Sequence, residues 1–339
     1  DKSLEVQRSV VIEEFKQRYL NQPYGDVWLE LRPLVYKVHP YKWATIGKEI
    51  KHIEDATMDD VKAFFKKFYS PANAILCVAG NLELEDVKSM VQKWFGDIPK
   101  QDKPVRNLPK EPKQTEFREK TIDRKVPANA FYYAFRMVDR SHEDYFVYDT
   151  LSDALGRDKS ARLYVSLKKG QNLVSDIGAY VMGSLDEGLL VISGKLNDDV
   201  SFEDFDKAFW KEMNLAKESM LSTDELTKIM NKIRTSKEFG DQGTLNRAMN
   251  LCSYELLGDA NLINQENEMY HKITSEDIQR VSKTVLQKTN CSLLKVKAKS
   301  SFSVLIGLPI FTGSVPFAKS IIYTSYPPKP CFPLEAKYK

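Results

Sequence analysis

The segment TMDDVKAFFKKFYSPANAIL, Thr57 to Leu76, aligns without gaps on TSEDIQRVSKTVLQKTNCSLL, which starts at Thr274. Thr57 matches Thr274, Asp60 matches Asp277, Val61 matches Ile278, Asn73 matches Asn290 and Leu76 matches Leu293, all at one offset, 274 − 57 = 217 residues. Five matches at one offset mark a duplication, so the chain is constrained to build the same kind of unit twice.

The repeated unit reads as a capped helix followed by a strand. Thr57 with Asp60 three residues on is an N-terminal cap, the pattern Met58 to Tyr69 is helical, and NAILCVAG, Asn73 to Gly80, reads as a buried strand. Helical patterns also cover Leu4 to Leu20, Val27 to Lys37 and Leu84 to Phe95. Farther on, FYYAFRM, LVSDIGAYV and EGLLVISGKL read as strands, and Phe202 to Met220 and Thr223 to Phe239 as helices, with Ser222 and Glu225 forming a capping box for the second. The fold class is α+β, in two related halves.

A linker separates them. IPKQDKPVRNLPKEPKQTE, Ile98 to Glu116, sets Pro99, Pro104, Pro109 and Pro112 among charges, a composition that stays extended. The expected organisation is residues 1–98 as the remainder of a first half, 99–116 as linker, 117–299 as the second half and 300–339 as a tail. At the 217-residue offset, a complete first half of equal length would begin about 100 residues before Asp1, so the first half is expected to be N-terminally incomplete.

Charge and cysteine usage exclude several classes. Fifty Lys and Arg against 47 Asp and Glu leave +3, no footprint for nucleic acid and no polybasic membrane anchor. The one long apolar stretch, Ser303 to Phe317, is interrupted by two prolines and two glycines and is too short for a membrane span. Cys77, Cys252, Cys291 and Cys331 lack C-x-x-C spacing and are expected as buried free thiols. No leader sequence is visible, which leaves periplasmic and cytoplasmic locations both open.

One local pattern asks for an explanation. Glu13 and Glu14 directly follow the apolar run Val10, Val11 and Ile12, and Gln7 and Glu14, seven apart, share a helix face. The plainer reading is a solvated face with Lys16 and Arg18 nearby. A carboxylate is also an accepted third ligand of a catalytic zinc. His39, His52, His142 and His271 form neither H-E-x-x-H nor H-x-x-E-H. His39 in HPYKW reads as a structural residue at a turn before Pro40, and His142 as part of a cap for the helix that follows MVDRS.

The segments RSVVIEEFKQRYLNQPYGDVW, HPYKWATIGKEIKHIEDATMDDVKAFFKKFYSPANAILCVAGN and SARLYVSLKKGQNLVSD resemble, in order and spacing, the pitrilysin/insulinase-type zinc metallopeptidases. The resemblance covers roughly residues 1–299. It implies duplicated α+β halves that face each other as a clamshell around an unfolded peptide. It also implies a zinc ion held by two histidines of an H-x-x-E-H motif and a downstream glutamate; laid on QRSVVIEE, that glutamate is Glu14, with Gln7 where relatives often carry a supporting acid.

From the same resemblance, Lys168 and Ser175 stand where some relatives place an Arg and a Tyr that stabilise the oxyanion and the substrate carbonyl, with Arg162 nearby. Neither position keeps the residue type, and a solvated face for Arg162, Lys168 and Lys169 stays open. The second repeat, with Asn231 opposite Glu14, is expected to hold no metal. The expected function is part of a zinc-dependent endopeptidase acting on peptide substrates. The alternative is a non-catalytic subunit that docks on an H-x-x-E-H-bearing homologue or on a second copy of itself. This chain alone is not expected to assemble a catalytic zinc. The tail from Ser300 matches nothing in the family.

Overall fold

The computed structural model describes residues 2–299; the tail expected at 300–339 lies outside them. Five strands form one mixed sheet in the order β1-β5-β2-β4-β3: β1 (Arg118–Arg124), β2 (Ala130–Arg136), β3 (Val174–Met182), β4 (Leu189–Leu196) and β5 (Cys291–Ala298). β1 runs parallel to β5, and the other neighbours are antiparallel. β1 and β3 are therefore the sheet edges.

Strand alternation gives the sheet two apolar faces. Phe131, Tyr133 and Phe135 of β2, with Ile192 and Leu293, point to one side and meet α6 (Tyr145–Gly156), α7 (Phe202–Glu218) and α11 (Ser275–Val285). α7 presents Phe205, Phe209 and Met213 at four-residue spacing. Its rings stack on the sheet, with Tyr133 and Phe209 centroids 3.8 Å apart and those of Phe131 and Phe205 4.1 Å apart.

Ala130, Ala134, Val191, Leu294 and Val296 point to the other side. They are covered by α2 (Val27–Val35), through Val27, Leu31 and Val35, each at most 2% exposed. α2 precedes the linker, yet it packs on the sheet that follows it. The linker is not loose: it has no regular structure, but Glu111 and Gln114 are buried. Glu111 accepts backbone N–H groups of Lys37, Val38 and His39, each at 2.8 Å, and the Gln114 amide donates to the Cys291 carbonyl at 2.8 Å.

The internal repeat is visible in element boundaries. α2 starts at Val27 and α9 (Thr244–Leu256) at Thr244; α4 (Met58–Phe68) starts at Met58 and α11 at Ser275; the short turns Pro71–Asn73 and Lys288–Asn290 follow, each pair 217 apart. Thr57 with Asp60, and Thr274 with Asp277, form reciprocal capping boxes.

Burial then separates the copies. α11 buries Ile278, Val281 and Val285, whereas α4 and α5 (Leu84–Phe95) bury no residue and expose Val61, Phe64, Phe65, Met90 and Trp94. The expected buried strand at Asn73–Gly80 is corrected: the stretch is extended but unpaired, with Ile75, Leu76 and Val78 exposed. A strand exists only through ladder hydrogen bonds. β5 lies between β1 and β2, and the earlier copy meets no such partners among the described residues.

Candidate functional site

α1 (Lys2–Phe15), continued by a π-helical turn at Lys16–Leu20, carries the residues singled out for metal binding. Only Phe15 of α1 is buried. The helix is fixed at its middle by Arg8, whose guanidinium donates to the carbonyls of Ile53 at 2.6 Å and Ala56 at 2.8 Å, at the C-terminal end of α3 (Ile50–Glu54).

Glu14 is paired with Arg18 at 2.9 Å one helical turn on, its side chain 42% exposed, and Glu13 is paired with Lys16 at 2.7 Å. Surface pairs of this kind are worth little and are readily exchanged. Gln7 is exposed on the same face, and Val6 and Val10 beside it are open to solvent. Among the described residues no three His, Cys, Asp or Glu side chains converge as a metal site. Among the described residues Glu14 is engaged by Arg18 alone.

The second candidate group lies at the edge strand. A π-helical turn, Tyr164–Gly170, leads into β3. The β3 register skips one residue between Val174 and Asp176, which makes Ser175 the extra residue of a β-bulge. Bulges re-aim side chains and backbone groups and are frequent beside functional sites. The Lys168 ammonium donates to the Ser175 carbonyl and lies 5.0 Å from the Tyr164 ring centroid. The structure therefore brings Lys168 and Ser175 together at an edge strand that pairs with only one other strand among the described residues.

Arg162 is elsewhere engaged. Its guanidinium makes a two-pronged pair with Glu225, 3.0 Å on each prong, and donates to the Ser219 and Met220 carbonyls. The Arg162 bonds, despite partial burial, hold the Glu225 carboxyl down at about 2. Arg162 clamps the turn between α7 and α8 (Thr223–Gly240) and presents no free donor pattern for a substrate.

His39 is 3% exposed and caps the turn Pro40–Lys42. Its Nδ1 accepts the Tyr41 N–H at 3.1 Å, so the proton of the neutral ring sits on Nε2, which faces Asp186 at 3.0 Å. His142 accepts the Asp144 N–H through Nδ1 at 3.0 Å, inside the turn before α6. Sequence reasoning missed Glu111: a lone acid among prolines gives no periodic signal, and only its three N–H donors reveal it. Burial raises the Glu111 carboxyl, but those donors outweigh it and hold the group below its usual range. A cavity of about 660 Å³ lies between the Arg140–Asp144 loop, the end of α9, α10 (Leu262–His271) and α11, where Arg280 is paired with Asp144.

The internal repeat and the five-stranded sheet layered with helices define a duplicated α+β scaffold. The profile described as the peptidase M16 inactive domain matches residues 55–233, more than half of the chain. The chain belongs to that family, the pitrilysin/insulinase-type zinc metallopeptidases, as part of their C-terminal region. It is 28% identical over 236 residues to the zinc protease PqqE of Helicobacter pylori, covering 69% of this chain and 52% of that protein. It is 31% identical over 104 residues to the mitochondrial-processing peptidase subunit beta of Saccharomyces cerevisiae, covering 30% of this chain and 22% of that one. The crystal structure of a protease from Helicobacter pylori superposes with a TM-score of 0.82 at 24% identity, over 88% of this chain and 72% of that one, and shares the fold. The chain spans about half the length of PqqE. No helix among the described residues is long and apolar enough to cross a membrane.

Proposed function

We propose that this chain forms the C-terminal part of a zinc-dependent endopeptidase that cleaves peptides in an enclosed chamber. Glu14 is the third zinc ligand, Gln7 its hydrogen-bonding support, and the Lys168–Ser175 corner of β3 part of the wall that the substrate meets. The observation that carries this reading is Glu14 itself. It stands on an open, partly apolar helix face, held by one exposed ion pair that a metal can replace.

On this reading a histidine-bearing segment supplies the other ligands, since among the described residues no three His, Cys, Asp or Glu side chains converge. What this chain does by itself is orient that carboxylate, through the Arg8 clamp on α1, and offer to an extended peptide an edge strand that pairs with only one other strand among the described residues. The test is to assemble the chain with an H-x-x-E-H-bearing segment and compare it with the Glu14→Gln variant. Loss of both bound zinc and peptide cleavage supports the assignment; unchanged zinc content removes Glu14 from the site.

The exposed apolar surface on α4, residues 74–80 and α5 favours a second reading, in which the chain is a non-catalytic subunit docked on an active homologue. Copurification with an H-x-x-E-H-bearing partner whose activity survives Glu14→Gln distinguishes this case.

A further inference from the structure

A cavity of about 480 Å³ opens between the end of α2, the loop 40–47 and the turn that joins β3 to β4. Arg32 and Tyr36 line it from the end of α2, Tyr41 and Trp43 from the loop, and Met182 and Leu189 from the sheet. Arg32 is the one charged side chain among the described residues that line it; none of them is acidic.

The loop takes its shape from its own sequence. Gly47, at φ +118°, lets the chain fold back so that its N–H donates to the Ala44 carbonyl at 2.9 Å. The Tyr41 ring packs edge-on against Tyr36, with centroids 5.8 Å apart, and the Ser184 hydroxyl donates to the Tyr41 hydroxyl at 2.6 Å. The aromatic wall is therefore held from two sides. Trp43 is 43% exposed at the cavity, and the Lys42 ammonium lies 5.1 Å from its ring centroid.

Arg32 has donors to spare. Its Nη1 donates to the Tyr41 carbonyl at 3.3 Å, and its guanidinium lies 5.7 Å from the Trp28 ring centroid. Its Nε is buried without a partner, and such groups are few in folded proteins and call for an acceptor. The acids of the adjoining β3–β4 turn are already engaged. Asp186 accepts from Arg106 at 3.0 Å and faces His39, and Glu187 is paired with Arg136. The last carbonyls of α2, at Leu34 and Val35, accept from Arg118, so the negative end of that helix is answered as well.

We infer that this cavity binds a monocarboxylate carried on an apolar or aromatic body, with Arg32 as the anion contact and Tyr41, Trp43 and Met182 as walls for the body. A guanidinium offers parallel N–H donors that match the two oxygens of one carboxylate. A single arginine balances one negative charge, which favours a carboxylate over the nearly doubly charged phosphate group. Apolar walls with a few placed polar groups are the usual make-up of a small-ligand pocket. Two sources carry this chemistry: the last residue of a peptide, and a free aryl or alkyl acid. The assignment uses neither Glu14 nor the Lys168–Ser175 corner and stands apart from the peptidase reading.

The test titrates the full chain, by calorimetry, with acetyl-alanyl-phenylalanine and with hydrocinnamate, each beside its own amide. The acids should bind at one site per chain, and each amide about tenfold or more weaker than its acid. Arg32→Gln should remove that preference. Thr45→Glu adds a negative charge at an exposed position of the cavity wall. It should weaken the acids and spare the amides, and it decides the matter if Arg32→Gln fails to fold. Tighter binding of the peptide acid assigns the site to peptide C-termini, and tighter binding of hydrocinnamate to small organic acids. Equal binding of acid and amide, acid binding unchanged by Thr45→Glu, or no heat with either acid would overturn the proposal.

Discussion

Arg124 of β1 donates to the Asp26 carboxylate at 2.6 Å, across the linker and 98 positions of sequence. The same guanidinium reaches Glu30 at 2.9 Å, and Lys120 joins Glu30 at 2.5 Å, so charges frame the apolar seam between α2 and the sheet. Arg124 is one-third exposed, and Arg124→Ala should cost about 1 kcal/mol. Leu31 is fully buried in the seam, and Leu31→Ala should cost about 2–5 kcal/mol. Urea denaturation of the two variants measures both. A larger loss for Arg124→Ala would make the ion pairs, rather than packing, the anchor of α2.

Arg162 and Lys168 should separate when mutated. Arg162 has five structural acceptors, so Arg162→Ala should lower stability by about 1–3 kcal/mol. Lys168→Ala removes a bond to one carbonyl at an exposed edge and should leave Tm nearly unchanged. In an assembled, active peptidase Lys168→Ala should instead raise KM. Equal thermal losses in the two variants would return Lys168 to a structural role.

Two acids give stability opposite slopes with pH. Burial is the main cause that lifts the Asp153 carboxyl from 3.8 to about 6, despite its pairing with Arg157. Between those values the folded chain keeps a proton that the unfolded chain has released, so stability falls as pH rises through that window, by up to about 3 kcal/mol. Asp153→Asn should flatten this decline in chemical-denaturation series from pH 4 to about 7. Glu225, held by Arg162 at about 2 from a usual 4.5, acts the other way. Its contribution is complete above pH 4.5 and is lost as pH drops toward 2.

The α4 and α5 surface should be adhesive. Phe64, Phe65 and Trp94 are each more than half exposed. An apolar patch of this extent marks an interaction site and binds hydrophobic dyes. The double variant Phe65→Glu, Trp94→Glu should reduce dye binding and shift any self-association toward monomer in light scattering. An unaltered dye signal would place the adhesive surface elsewhere.

Much of the fold was legible because its signals are local. Thr57 with Asp60, and Ser222 with Glu225, are capping boxes readable from spacing alone, and FYYAFRM, LVSDIGAYV and EGLLVISGKL overlap β2, β3 and β4. β1 escaped notice because an edge strand need not be apolar: REKTIDR buries only Ile122. The stretch after Asn73 has a strand's composition but no ladder, since pairing depends on a partner and not on the stretch itself. Likewise, apolar spacing in Val27–Val35 announces a buried face without naming the sheet that buries it. For the candidate site, sequence similarity brought Lys168 and Ser175 forward together. The bulge that joins them, and the Glu225 clamp that occupies Arg162, are matters of register and distant partners.

The path of α2 bears on how this protein can be divided. A gene cut within residues 99–116 would release one fragment carrying a helix stripped of its sheet, and another carrying a sheet with one greasy side bare. Each fragment would hold what the other lacks, as in a domain-swapped dimer whose two copies have been fused into one polypeptide. Expressed apart, both pieces should precipitate; expressed side by side from separate messages, they should find each other and stay in solution.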